Sequence, residues 1–232
     1  MSKAYLTIDD VSTENTPILM DYLNEKGIIP IMFSVGENVK THWEEALYAL
    51  KKGAIIANHS YTHPKFSDLT LSECINEIMK QEYILDELYH SAGIDRKYKP
   101  IRFPYGDKGG KNKEELQKYL KSNNFCRIDD SNINFNWYKE NALNEDIDIF
   151  WTFDFAEYRL KEKNGYTYQS ILQRIHDNNP PTGGALLDKN SNHIILIHDH
   201  IETETFMPNY FKKLIDYVLA SGVEFIQPKF II

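Results

Sequence analysis

YLTIDDVSTENTPILMDYLNEKGIIPIMFS, residues 5–34, reads as one strand–helix–strand unit. Tyr5 to Ile8 is a short apolar strand. Thr16-Pro17 then opens a helix as N-cap and first helical residue, and Gly27 closes it. Ile28 to Ser34 is the next strand, ending in the turn-forming Gly36. Two neighbouring strands joined through a helix run parallel, because a hairpin turn cannot make that connection.

The unit recurs along the chain. A helix over roughly His42 to Lys51 leads through Gly53 into the buried strand Ala54 to Ala57. Thr70-Leu-Ser-Glu73 is a capping box for a long helix ending near Ser91-Ala92-Gly93. Strand Pro100 to Phe103, helix Lys113 to Ser122 and a strand at Phe125 to Ile128 follow. Strand Ile147 to Phe153, helix Tyr168 to Asn178, strand His193 to Ile197, helix Pro208 to Ser221 and strand Val223 to Ile226 complete the count. Repeated units of this kind predict an α/β fold with a mainly parallel sheet, and seven or eight strands favour a barrel. No composition break divides the chain, so residues 1–232 are expected to form a single domain. Segments 129–146 and 178–192 carry no clear period and read as long loops.

The chain is acidic, with a formal charge of −8 and no Lys/Arg-rich block. Nucleic acid and anionic membrane are therefore not expected partners. Apolar runs such as Ile194 to Ile197 are far too short for a transmembrane segment. The N-terminus enters a strand at once and shows no signal peptide, so the sequence as it stands predicts a cytoplasmic protein. Cys74 and Cys126 match no metal-binding spacing and read as buried thiols.

The first strand ends in Asp9-Asp10, and His59-Ser-Tyr-Thr-His63 follows the third. An aspartate pair and two histidines can supply three metal ligands and one spare carboxylate. Three protein ligands leave a divalent metal open to water or substrate, and the spare carboxylate suits a general base. Each feature alone is equally compatible with a turn signal or a solvated loop histidine. Arg102-Phe-Pro-Tyr105 and His198 also stand at strand ends, where parallel barrels carry their chemistry.

Taken together these motifs resemble the polysaccharide deacetylase family, the NodB-homology domain of carbohydrate esterase family 4. TIDD is similar to the family's first motif TFDDG, HSYTH to H-S/T-x-x-H, RFPY to R-x-P-Y, and LIH within ILIHDH to L-x-H. The resemblance implies a distorted (β/α) barrel and a zinc-type site with Asp10, His59 and His63 as ligands. It implies Asp9 as general base, His198 as general acid, and Arg102 holding Asp9 through its planar fork. The backbone N–H of Tyr105 would stabilise the oxyanion and Leu196 would line the pocket for the acetyl methyl. Zn²⁺ is the expected metal, with Co²⁺ or Ni²⁺ able to substitute, since affinity alone rarely decides.

The match departs from the family in three places. Val11 stands where the family usually has Gly, which would reshape the loop beside the metal. WTFDFAEY puts Glu157-Tyr158 in place of an Asp-Trp pair expected to brace Arg102, with Asp154 upstream. His200 follows His198 by two residues, faces the same way if the strand continues, and competes for the acid role. The function implied is metal-dependent hydrolysis of N-acetyl groups on an N-acetylglucosamine-containing glycan or oligosaccharide, a carbon–nitrogen bond other than a peptide bond. O-deacetylation of a polysaccharide of the acetylxylan type, or an inactive glycan-binding relative, are the alternatives.

Overall fold

The computed structural model describes residues 2–162 and 165–231. Its strands are β1 (Lys3–Val11), β2 (Ile31–Ser34), β3 (Ile55–Asn58), β4 (Arg127–Ile128), β5 (Phe153–Asp154), β6 (His193–His198), β7 (Glu224–Phe225) and β8 (Phe230–Ile231). Its helices are α1 (Thr16–Glu25), α2 (Gly36–Thr41), α3 (Trp43–Lys51), α4 (Leu71–Ala92), α5 (Lys113–Ser122), α6 (Asn136–Glu140), α7 (Tyr168–His176), α8 (Ile201–Phe206) and α9 (Tyr210–Ala220).

The main sheet is parallel, in the order β3-β2-β1-β6-β5, with β7 also on β1. Backbone bonds carry it round into a closed ring. Beyond β3, Asn58 N–H donates to Pro100 and Arg102 N–H donates back to Asn58, which adds a stave at 100–102. Ile149 N–H donates to Ile101 at 2.8 Å and Thr152 N–H donates to Ile194 at 2.8 Å, so segment 149–154 bridges that stave to β6. The barrel is distorted for two reasons. One edge of β1 is shared, Lys3 and Ala4 pairing with β7 and Thr7 to Val11 with β2. The stave at 147–153, expected as a full strand, reduces to β5 because its first half leaves the ladder. The strand expected near Phe125 is β4, which runs antiparallel to β8 in a separate pair.

Strand alternation sorts the core. Leu6 and Ile8 point outward and join Met32, Ile56, Ile195 and Ile197 beneath α1, α3, α4 and α9. Each is fully buried, which stabilises the fold by about 1.5–3 kcal/mol per side chain. Tyr5 points inward with Ile31, Phe33, Ala57 and Ile194 and fills the barrel. Thr7 and Asp9 share that inward parity, so the strand that builds the outer core also delivers the carboxylate.

The helix ends follow local chemistry. In α4, Thr70 accepts from Glu73 N–H while the Glu73 carboxylate takes Thr70 N–H, and Gly93 closes the helix at φ 67°. The cap of α1 is Asn15 rather than Thr16; the Thr16 hydroxyl instead donates to buried Asp199. Gly36 is not a turn residue but the first of α2, and its requirement is space: a Cβ there would lie 2.4 Å from the Tyr61 ring. Cys74 and Cys126 are buried and unpaired, and burial pushes both thiols up to about 11. Among the described residues no helix is long and apolar enough to cross a membrane.

Candidate active site

Adjacent residues of a strand normally face opposite sides, yet Asp9 and Asp10 reach one pocket. The pairing of β1 with β2 slips between Ile8 and Val11, so one extra residue sits in β1, and Asp10 takes φ 66°. This bulge re-aims the second carboxylate, and aspartate is one of the few residues that occupies the left-handed region cheaply. Val11, where the family usually has glycine, is fully buried and is not among the positive-φ residues. The unusual backbone angle beside the site belongs to Asp10 instead.

The HSYTH segment leaves β3 as a braced loop. Asn58 Oδ1 accepts Ser60 N–H at 2.9 Å, Ser60 Oγ accepts His63 N–H at 3.1 Å, and Glu77 takes the N–H groups of Tyr61 and Thr62. Ser60 and His63 both have positive φ, as do Tyr105 and Ala156. Such conformations cost of order 1–3 kcal/mol each and persist only where surrounding bonds hold them. Three of these positions, Asp10, His63 and Tyr105, line one pocket.

That pocket, about 260 Å³, is lined by Asp9, Asp10, His59, His63, Tyr105, Leu196 and His198, all expected at the site. It also holds Trp151, Asp154, Tyr158 and His200. One donor atom from each of Asp10, His59 and His63 lies within 4.8 Å of the other two. His63 Nε2 is 3.3 Å and His59 Nε2 3.8 Å from Asp10 Oδ1. His59 Nδ1 lies 2.8 Å from the Arg102 carbonyl, an acceptor, so Nδ1 carries the proton and Nε2 presents a lone pair inward. Burial, helped by His59, lowers His63 to about 4, leaving it neutral at neutral pH. Burial alone would raise Asp10. The His200 hydrogen bond and the nearby histidines overturn that and hold the carboxyl well below the usual range. An ionised Asp10 carboxylate, a neutral His63 and the inward Nε2 of His59 make a donor set that fits a divalent metal of zinc type.

Asp9 is buried and faces away from solvent. Arg102 Nη1 donates to Asp9 Oδ1 at 2.7 Å and to Thr7 Oγ1 at 2.9 Å, and Nε donates to the Ile149 carbonyl at 2.9 Å. The expected fork grip is therefore corrected: one nitrogen holds Asp9, and Nη2 has no partner among the described residues. The guanidinium also lies 4.3 Å from the Phe33 ring centroid and 5.5 Å from Trp151.

Glu157 does not brace Arg102. Its Oε1 accepts the backbone N–H of His198 at 2.6 Å and lies 2.9 Å from His198 Nδ1. Burial would depress His198, but Glu157 first and then Asp154 raise it to about 10, so the ring is an imidazolium at neutral pH. Burial raises Asp154 in turn to about 6. His198 and His200 do face the same way, with centroids 5.2 Å apart, but their partners differ. His200 Nε2 sits 2.7 Å from Asp10 Oδ2.

Trp151, Thr7 and the Ile149 carbonyl carry no role in the motifs read from the sequence. Thr7 alone carried a signal, an inward polar residue two before Asp9. Comparison with known proteins places the chain among deacetylases. The family model for polysaccharide deacetylase matches residues 2–125. A peptidoglycan-N-acetylglucosamine deacetylase of Bacillus cereus is 35% identical over 103 residues, 44% of this chain and 36% of that protein. A bifunctional xylanase/deacetylase of Pseudobutyrivibrio xylanivorans is 29% identical over 101 residues, 43% of this chain and 16% of that protein. The chain thus aligns with about a third or less of the length of these relatives. The chitin deacetylase structure from Colletotrichum lindemuthianum superposes with a TM-score of 0.65 at 18% identity, covering 97% of this chain and 84% of that one.

Proposed function

The chain belongs to the polysaccharide deacetylase family, and on that premise we propose that it is a metal-dependent hydrolase of N-acetyl groups on an N-acetylglucosamine-containing glycan or oligosaccharide. One observation carries the reading: three metal donors share a pocket with a carboxylate tied to a cation and an imidazolium tied to a carboxylate. A base and an acid are each held by the partner that suits its starting state, which a simple binding site would not need.

Asp10, His59 and His63 would hold the metal, which when bound supplies a Lewis acid for the acetyl carbonyl and eases ionisation of water. Asp9 accepts the proton of the attacking water, and Arg102 compensates its buried charge. The backbone N–H of Tyr105 donates to the developing oxyanion. His198 passes its Nε2 proton to the leaving amine, while Glu157 fixes the ring through Nδ1. Leu196, on the inward face of β6, offers an apolar surface to the acetyl methyl.

The substrate's further sugars have room. The pocket shares Trp151, Asp154 and Tyr158 with a neighbouring hollow of about 310 Å³, which continues past Trp137 and Phe150 into one of about 630 Å³. Aromatic faces along this cleft suit the C–H faces of sugar rings. A polysaccharide O-acetyl esterase is the second reading, favoured by the relative named as a xylanase/deacetylase. Acetate release from chitooligosaccharides, peptidoglycan and acetylxylan, with and without added Zn²⁺, tests both. Metal-dependent release from the N-acetylated substrates is expected. Release from acetylxylan alone would make the esterase reading correct, and full activity in metal-free protein would overturn the metal.

A further inference from the structure

The family motifs account for every polar side chain that lines the pocket's metal side except His200. It follows β6 by two residues and precedes α8. Its Nε2 lies 2.7 Å from Asp10 Oδ2, whereas His59 and His63 both face Asp10 Oδ1. The two oxygens of one carboxylate are thereby divided, one toward the donor cluster and one toward His200. The His200 ring is held for this contact. It stacks on His198 at an interplanar angle of 26°, and its backbone N–H donates to the Tyr210 hydroxyl at 3.3 Å. Among the described residues its buried Nδ1 has no partner, and the bond to Asp10 is the ring's one hydrogen bond. A buried imidazole nitrogen left unpaired is costly, and it is retained here alongside a single short contact to Asp10.

From this geometry we propose that His200 is a positioning residue. It donates from Nε2 to Asp10 Oδ2, restrains Asp10 to one metal-facing oxygen, and so sets the affinity of the site for its metal. The inference rests on the metal reading above. Asp10 needs such support for a backbone reason. It stands in a bulge at φ 66°, where its own strand does not fix the side chain, and Asn38 Nδ2 holds its backbone carbonyl at 2.8 Å. His200 reaches it from a distant part of the chain and supplies the missing restraint. Partners of this kind, one bond removed from a metal, typically change affinity or activity by about 10- to 100-fold when lost.

The test measures Zn²⁺ affinity by competition with a chromophoric chelator, and the visible spectrum of the Co²⁺-loaded protein, for wild type, His200→Ala and His200→Gln. Circular dichroism first establishes that each variant is folded. The expected result is Zn²⁺ binding weakened about 10- to 100-fold in His200→Ala, with a changed Co²⁺ spectrum. His200→Gln should recover most of both, because its amide N–H can donate to the same oxygen but does not replace an imidazole as a ligand. Equal affinity in all three proteins, or a weakening that glutamine does not relieve, would overturn the positioning role while leaving the metal reading intact. A wild-type protein that binds neither ion would remove the metal reading itself.

Discussion

The two sides of the pocket are assembled by different means. On the metal side, Asp9 and Asp10 close one strand, and His59 and His63 follow another whose last residue, Asn58, braces their loop. The histidine loop is braced within a few residues and by Glu77, while Arg102 and His200 reach the two aspartates from distant parts of the chain. On the acid side, Glu157 lies on a short 3-10 turn and meets His198 across 41 positions of sequence, beside a two-residue strand. The ligands of the first arrangement leave regular strands, whereas the second depends on packing of an irregular segment. The metal side should therefore fail by losing its ion, and the acid side by changing its proton.

The sharpest break concerns Asp9, which stands on the metal side but is not expected to hold metal. Asp9→Asn keeps size and removes the proton acceptor, so turnover should fall about 100- to 10,000-fold, read as acetate release. Turnover near wild type would remove Asp9 from the base role.

Arg102 comes next. Removing a buried partner leaves Asp9 uncompensated, so Arg102→Ala should cost about 3–5 kcal/mol of stability in denaturant unfolding, together with most activity. Arg102→Lys should not rescue, because lysine cannot bond Asp9, Thr7 and the Ile149 carbonyl together. Full rescue by lysine would reduce Arg102 to a point charge.

Glu157→Gln probes the acid side. With its pKa raised to about 10, His198 stays protonated through neutral pH, and activity should fall only as pH rises through that value. A raised histidine stabilises the fold fully below its unfolded pKa, and that contribution fades as pH climbs toward about 10. Without the carboxylate, the alkaline limb of the pH–rate profile should move down by roughly one to three units, with metal content kept. An unmoved limb would separate Glu157 from His198. The smallest effect lies far from either side: Thr70→Ala breaks the capping box of α4 and should cost about 1 kcal/mol with no change in the pH profile.

The same contrast explains what was legible. β2, β3 and β6 are short, largely apolar runs ending in polar residues, and β1 carries Asp9-Asp10 after its apolar part, so both the strands and the residues they deliver could be read. The bulge at Asp10 could not, because no glycine marks it and aspartate takes the left-handed angle itself. The stave at 147–153 misled because its run of apolar residues does not form a ladder: Ile149 N–H turns to Ile101 and Phe153 and Asp154 pair with β6. Segment 129–146 hides a one-turn helix, α6, too short to show a period. Glu157 was visible as an acidic residue in the right place, but sequence spacing does not say whether it meets Arg102 or His198. His200 was expected to face the same way as His198 if the strand continued; β6 stops at His198, and His200 stacks on it and meets Asp10 from the start of α8 instead.

The most direct measurement is the metal content of Asp9→Asn and Asp10→Ala, purified in parallel and assayed for acetate release. The account predicts an Asp9→Asn protein that is folded, fully metallated and nearly inactive, beside an Asp10→Ala protein that has lost its metal and its activity with it. A metal-free Asp9→Asn beside a metallated Asp10→Ala would reverse the assignment of the pair, and undiminished activity in both would contradict the deacetylase reading itself.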